Sequence, residues 1–399
     1  MPEPLIYFDH NATTPLHPAV WEAMYPFLTE AFGNPSSLHA DGLRARDAVE
    51  EARERVARLL GASADEIVFT SGGTEADNLA ILGSVLARRL QGGHIITSQI
   101  EHPAVLGSCH ALETQGCRVT RLPVGSAGTI DPDDLAAALS DDTLLVTLMH
   151  ANNEIGTIQP VRACAALARA RGILVHTDAV QSVGKIATPV DELGVDLLSL
   201  SGHKIHGPKG VGALYVRRGT GLHPLVTGGP QERGLRGGTE PVAAIVGLGV
   251  AAQLAAASLS AEMSRVAALR DHLEQGVLAS IPEVLVNGRP APRLPTTTNL
   301  SFKGVDGQSL VVALDLKGVA TSTGSACSSG SLEPSPVLVA MGLPSEWVRG
   351  AVRFSLGAGN TLQEVETVLQ MLPPVVARLR QHAQGSVRAT APAPMQRRA

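Results

Sequence analysis

The sequence predicts an α/β fold: a large domain on a mainly parallel sheet flanked by helices, followed by a smaller α+β domain. Short apolar runs alternate with longer helical patterns through most of the first 257 residues. Several of these runs are apolar at nearly every position, as strands covered on both faces tend to be. After about residue 257 the rhythm changes, and a chain of 399 residues has length for two domains.

In order, the candidate strands are Glu66–Thr70, His94–Ser98, Arg118–Leu122, Thr143–Met149, Ile173–Asp178, Val195–Leu200 and Val211–Val216. Helical segments lie between them. Asp41–Leu60 places Glu51 with Arg55 and Glu54 with Arg58 at i,i+4 on a wet face. Asp131 reads as an N-cap, Pro132 as the first helical residue, and Asp133 and Asp134 as an acidic first turn. The longest uncharged stretch, Pro241–Ala261, is interrupted by Gln253, Ser258 and Ser260 and reads as a buried helix rather than a membrane span. A helix over Ala261–Ser280, a Pro-rich connection over Asn287–Thr298 and shorter segments follow. The expected division is a large domain over residues 15–257, a small domain over 1–14 and 258–384, and a disordered tail over 385–399, which holds three Arg and no acid.

A net charge of −5 gives no electrostatic reason to expect nucleic acid or an anionic membrane as partner. The first residues lack a basic segment ahead of an apolar one, so no secretory signal is expected. Four cysteines do not make a disulfide scaffold, and a reduced, cytoplasmic, soluble protein is expected.

The chemistry collects at strand ends. Ser71-Gly72-Gly73-Thr74 follows the first candidate strand and opens a helix, where unpaired N–H groups and the helix dipole favour a phosphate. Alone, it reads equally as an ordinary βα turn with a Thr cap. Lys204, in SGHKIHGPKG, ends another strand among Gly and Pro turns. A lysine so placed either forms a Schiff base or pairs with a buried acid. Asp178 closes the Ile173–Asp178 run, where a carboxylate suits a cationic ring nitrogen, and Gln181 follows within one turn. Phosphate turn, acid and lysine together point to pyridoxal 5'-phosphate. Two patterns are set aside. Gly247-Leu248-Gly249-Val250-Ala251-Ala252 matches a dinucleotide fingerprint but has no strand before it, and His203 with His206 lacks further metal ligands at matching spacing, so no metal is expected.

Over about residues 5–380 the chain resembles the cysteine desulfurases of the nitrogen-fixation and housekeeping iron–sulfur type, pyridoxal phosphate enzymes of the aspartate-aminotransferase fold. The resemblance is carried by YFDHNATTP (7–15), GNPSSLH (33–39), SGGTEADN (71–78), EHPAV (101–105), HANNEIGTIQP (150–160), HTDAVQ (176–181), SGHKIHGPKG (201–210), ERGLRGGTEP (232–241), GSACSSGSLEPS (324–335) and VRFSLG (352–357). It implies that Lys204 carries the cofactor, Asp178 faces the pyridine nitrogen and Gln181 donates to the phenolic oxygen. His102 would stack on the ring and shuttle protons. Gly73, Thr74, Ser201 and His203 would hold the phosphate, and Asn153 the cofactor and the substrate. Thr239 would reach the phosphate of the other subunit, implying a homodimer with composite active sites. Asn34, Asn153 and Arg353 would hold the substrate carboxylate, a task that suits a bidentate guanidinium.

The resemblance also implies that L-cysteine is converted to L-alanine, with sulfur left as a persulfide on Cys327 and passed to an acceptor such as an iron–sulfur scaffold protein. Cys327 sits among small polar residues in a Gly/Ser-rich stretch, where a thiolate has access and mobility; Cys109, Cys117 and Cys164 read as small buried hydrophobes. A selenocysteine lyase, or another aminotransferase or lyase of the same fold, would use the same lysine and aspartate, but only the persulfide route requires Cys327.

Overall fold

The computed structural model describes residues 5–88, 92–323 and 334–389, with side chains through residue 382. Its strands are β1 (Ile6–Tyr7), β2 (Ile67–Thr70), β3 (His94–Ser98), β4 (Arg118–Leu122), β5 (Thr143–Met149), β6 (Leu174–Asp178), β7 (Leu197–Ser201), β8 (Gly212–Val216), β9 (Val284–Val286), β10 (Thr297–Phe302), β11 (Val319–Ala320) and β12 (Ala351–Ser355). Seven of them form one sheet in the order β2-β8-β7-β6-β5-β3-β4, in which β8 alone runs antiparallel to its neighbours. Strands β2, β3, β7 and β8 are buried along their whole length, and apolar residues dominate β2, β7 and β8.

The two edges of this sheet are protected differently. Strand β4 carries Arg118 and Arg121 on a partly exposed edge, and such charges discourage further pairing. On the outer side of β2, Arg53 donates to Ile67 O at 2.8 Å and Phe69 N donates to Glu232 Oε2 at 2.8 Å. Arg53 and Glu232 also pair with each other at 2.8 and 2.9 Å, so one buried ion pair satisfies both a sheet edge and itself.

A second core gathers Phe8, Leu300, Phe302, Val352 and Phe354 around the antiparallel sheet β12-β10-β9 and the parallel pair β1-β11. The helix Val242–Ser280 serves both cores. The sequence suggests helical stretches over Pro241–Ala261 and Ala261–Ser280, which the structure joins into one helix of 39 residues. Ala243, Ile245, Leu248, Ala251 and Ala252 enter the large core, and Val266, Leu269, Leu273 and Val277 enter the small one. By length and composition alone this helix could cross a membrane, but its first half packs against helices Pro18–Thr29 and Ala40–Leu60. The Gly247 and Gly249 of the apparent dinucleotide fingerprint are contact points there. A Cβ at Gly249 would lie 2.6 Å from Ala52 Cα, and one at Gly247 would lie 2.7 Å from Met24 Sδ.

Two expectations need correction. Val337, Leu338, Met341 and Val348 belong to the large core's cluster although residues 258–384 were expected in the small domain, and the short helix carrying Val348 also touches β10 of the small sheet, so this segment bridges the two. Helix Leu362–Ala389 continues through residues 385–389, where disorder was expected, and the rest of that tail, 390–399, lies outside the described residues.

Candidate active site

Parallel strands present their carboxyl ends along one edge of the sheet, the usual position for a ligand in such folds. There a cavity of about 400 Å³ is lined by Gly73, Thr74, His102, Asn153, Asp178, Gln181, Ser201, His203, Lys204 and Arg353. Each comes from a strand end or the loop after it. β2 leads to Gly73 and Thr74, β3 to His102, β5 to Asn153, β6 to Asp178 and Gln181, and β7 to Ser201, His203 and Lys204. Arg353 arrives from β12 of the smaller sheet.

The turn after β2 is shaped by a close approach. A Cβ on Gly73 would lie 2.6 Å from Val180 Cγ2, so glycine lets the start of helix Gly73–Ala87 close against the loop after β6. The first-turn N–H groups of this helix have no intrahelical partners and sit at the cavity. His203 lies beside them, with Nδ1 3.1 Å from Thr13 Oγ1. Burial, reinforced by Lys204, Lys209 and Lys185, pushes its pKa down to about 4, so the imidazole is neutral at pH 7.

Asp178 stands in register with Met149 of β5 and Ser199 of β7, and its Oδ1 accepts from Val180 N at 2.9 Å as the strand ends. Burial raises its pKa, while the charges of His102 and Lys204 pull it down. Asp77 lies next to it. One ligand atom from each of Asp77, His102 and Asp178 falls within 4.8 Å of the others. Burial first, and then the charge of Asp178, holds Asp77 well above the usual carboxylate range, and its Oδ1 has no hydrogen-bond partner. Burial thus raises both acids, and His102 and Lys204 offset it at Asp178. His102 caps helix Pro103–Thr114, its Nδ1 accepting from Ala104 N at 3.2 Å, which leaves the proton of the neutral ring on Nε2.

Lys204 ends a short 3-10 turn after β7, and its Nζ donates to the carbonyl oxygens of Asn11 at 2.5 Å and Ala12 at 2.8 Å. Gln181 Nε2 donates to Asn11 O at 3.0 Å. Arg353 donates to Asn153 O at 2.9 Å and Asp9 Oδ1 at 2.7 Å, while its buried Nε has no partner. A guanidinium with donor capacity to spare at the cavity fits a carboxylate ligand.

These residues fit pyridoxal phosphate on their own chemistry. A glycine turn that a Cβ would obstruct and a helix start suit the phosphate, a buried acid suits a ring nitrogen, and a lysine at the cavity suits a carbonyl carbon. Two expected site residues stand apart from this cavity, and a third is not among those described. Asn34 is exposed and uses its Oδ1 to accept from Ser36 N at 2.9 Å. Thr239 is exposed on the connection before helix Val242–Ser280, and Cys327 lies outside the described residues. Sequence reasoning missed Asn11 and Asp77. Both lie within motifs named above, YFDHNATTP and SGGTEADN, but neither was assigned a role.

The sequence profile of the class-V aminotransferases matches residues 6–368. The cysteine desulfurase IscS of Dictyoglomus turgidum is 52% identical over 375 residues, covering 94% of this chain and 95% of that protein. IscS of Methanosarcina thermophila is 50% identical, over 94% and 93% of the two chains. Among solved structures, a NifS-like protein superposes with a TM-score of 0.88 at 39% identity, covering 94% of this chain and all of that one. A structure titled SspA in complex with cysteine gives 0.80, also at 39% identity, over 89% of this chain and all of that one. The chain belongs to the class-V aminotransferase family and, within it, to the cysteine desulfurases.

Proposed function

We propose that this chain, as a cysteine desulfurase, uses pyridoxal phosphate in the Lys204 cavity to move sulfur from L-cysteine onto Cys327. The observation that carries this reading is the convergence of Lys204, Asp178 and the Gly73–Thr74 turn on one cavity. When bound, pyridoxal phosphate supplies a carbonyl carbon for an amine and a ring that takes up the electron pair of a broken Cα–H bond.

Lys204 holds the cofactor and, once displaced by substrate, takes the proton from the substrate Cα. Asp178 keeps the ring nitrogen protonated by balancing its charge. Gly73, Thr74, Ser201 and His203 hold the phosphate, and Gln181 donates to the phenolic oxygen. Arg353 and Asn153 orient the substrate carboxylate. His102 moves protons from its Nε2. Cys327, as a thiolate, attacks the substrate sulfur: an S–S bond forms, the Cβ–S bond breaks, and protonation of the remaining carbon skeleton gives alanine. Cysteine plus thiol thus becomes alanine plus persulfide, with no external oxidant.

The test incubates the cofactor-loaded protein with L-cysteine and counts alanine against persulfide and sulfide. Equal amounts are expected, and Cys327→Ala should bind cysteine but form neither sulfur product. Undiminished alanine and sulfide from that variant would overturn the role of Cys327.

The same reading makes the protein a homodimer in which Thr239 reaches the partner's phosphate site. An exposed apolar strip on and after helix Pro18–Thr29, with Trp21, Tyr25, Leu28 and Phe32, supports it. A sulfur-acceptor protein and a cytoplasmic location complete the proposal. The latter is supported by free, buried thiols at Cys109, Cys117 and Cys164.

A further inference from the structure

Lys185 is a lysine with no role in the chemistry above, yet it is buried beside it. Its residue is 5% exposed, and its Nζ donates to Gln181 Oε1 at 2.9 Å and to Asn11 Oδ1 at 2.9 Å. Both acceptors are side-chain amides whose orientation decides what they offer. With Oε1 held by Lys185, Gln181 must turn its NH₂ group the other way, where one N–H meets Asn11 O. An amide nitrogen has two N–H donors, and Gln181 lines the cavity, so the second is available to an acceptor there. Turned over, the same amide would offer an oxygen to the cavity and repel an oxyanion. Asn11 is fixed by the same logic: its Oδ1 faces Lys185 while Nδ2 donates to Thr297 Oγ1 and Asn153 O.

We propose that Lys185 is a positioning residue that locks the amide of Gln181 so that it presents a donor, not an acceptor, to the phenolic oxygen of the cofactor. Burial, with Lys204 and Arg353 nearby, drives the Lys185 pKa well below its ordinary value. The two hydrogen bonds of Lys185 give one N–H to each amide oxygen. The inference rests on the reading that the cavity holds pyridoxal phosphate.

The experiment compares visible absorption spectra of cofactor-loaded wild type, Lys185→Met, Gln181→Leu and the double variant, together with kcat/KM for L-cysteine. Methionine matches the length of the lysine stem and leaves the amide of Gln181 without its anchor. Lys185→Met should shift the absorption band of the bound cofactor in the same direction as Gln181→Leu. It should also lower kcat/KM about tenfold, as expected for one lost hydrogen bond to a charged group. In the Gln181→Leu background, Lys185→Met should move the band no further. An unchanged band in Lys185→Met, or an equal further shift in the Gln181→Leu background, would overturn the proposal. Should Lys185→Met fail to fold, Lys185→Leu, which also removes the donor, is read by the same cycle. A wild-type protein that takes up no cofactor would instead defeat the functional reading itself.

Discussion

Lys204 Nζ donates to the backbone carbonyl of Asn11, a residue 193 positions earlier in the chain. The segment after β1 thus crosses from the small sheet to the floor of the cavity. It is pinned there by the Asn11 side chain, which bonds Thr297 Oγ1, Asn153 O and Lys185 Nζ. Asn11→Ala removes all three bonds and is expected to cost about 2–3 kcal/mol in urea unfolding, since buried partners are left unmet. Desulfurase kcat should fall about tenfold or more as the carbonyls that dock Lys204 loosen. Cofactor affinity, measured by titration of the apoprotein, should change little, because Gly73, Thr74 and Asp178 are untouched.

The neighbouring acids Asp77 and Asp178 predict opposite outcomes for the same substitution. Burial pushes Asp77 well above the usual carboxylate range, so Asp77→Asn should be tolerated and leave kcat within about threefold, a difference below 1 kcal/mol. Asp178 is the acid proposed to balance a ring cation. Asp178→Asn removes the carboxylate with little change of shape, and kcat should drop on the order of 10²–10³-fold, the scale of losing one preorganised electrostatic partner. Steady-state kinetics of both variants with L-cysteine test the contrast.

The large sheet was legible because its central strands, buried on both faces, are rich in apolar residues, and β3 and β5 begin and end where those runs do, as does the edge strand β4 with its arginines. Strand-end residues such as Asp178 and Lys204 were legible for the same reason, since a polar side chain closing an apolar run marks the rim of the sheet. Asn11 was missed because it receives Lys204 through a backbone carbonyl, which any residue type could offer. Asp77 was missed because its burial arises from helix packing: a carboxyl in a polar helical stretch gives no hint of burial until β6 and β7 lie beneath it. The change of rhythm near residue 257 falls where helix Val242–Ser280 passes from one core to the other, since its residues between Ala252 and Val266 are exposed or half-buried while the helix continues.

Glu101 gives stability a specific pH dependence. It is buried, with Oε1 accepting from Ser98 Oγ at 2.6 Å and Met149 N at 3.0 Å, and Oε2 unpartnered. Burial pushes its pKa up to about 8. Between about pH 4.5 and 8 the folded chain therefore keeps a proton on Glu101 that the unfolded chain releases, so this group's contribution to stability declines as pH rises through that window. Glu101→Gln preserves the neutral shape and removes the titration. Its stability relative to wild type should rise by about 1.4 kcal/mol per pH unit across the window and level off above pH 8. Urea unfolding of the two apoproteins at several pH values measures it.

Two helical glycines separate close packing from intrinsic helix propensity. Gly107, in helix Pro103–Thr114, is exposed, and a Cβ there would meet nothing within 4 Å. Gly107→Ala should therefore stabilise the protein by about 0.5–1 kcal/mol, the ordinary gain of alanine over glycine in a helix. Gly249 would gain the same propensity, but its Cβ would sit 2.6 Å from Ala52 Cα and 2.7 Å from Ala52 Cβ. Backbone cannot rotate away as a flexible side chain does, so helices Val242–Ser280 and Ala40–Leu60 must separate along their contact. An overpacked contact of this kind costs about 1–3 kcal/mol, which exceeds or cancels the propensity gain. Gly249→Ala should accordingly be destabilising or neutral in urea unfolding where Gly107→Ala is stabilising. Equal stabilisation by both would mean that Gly249 is not a packing contact and would leave the GxGxxA pattern in that helix unexplained.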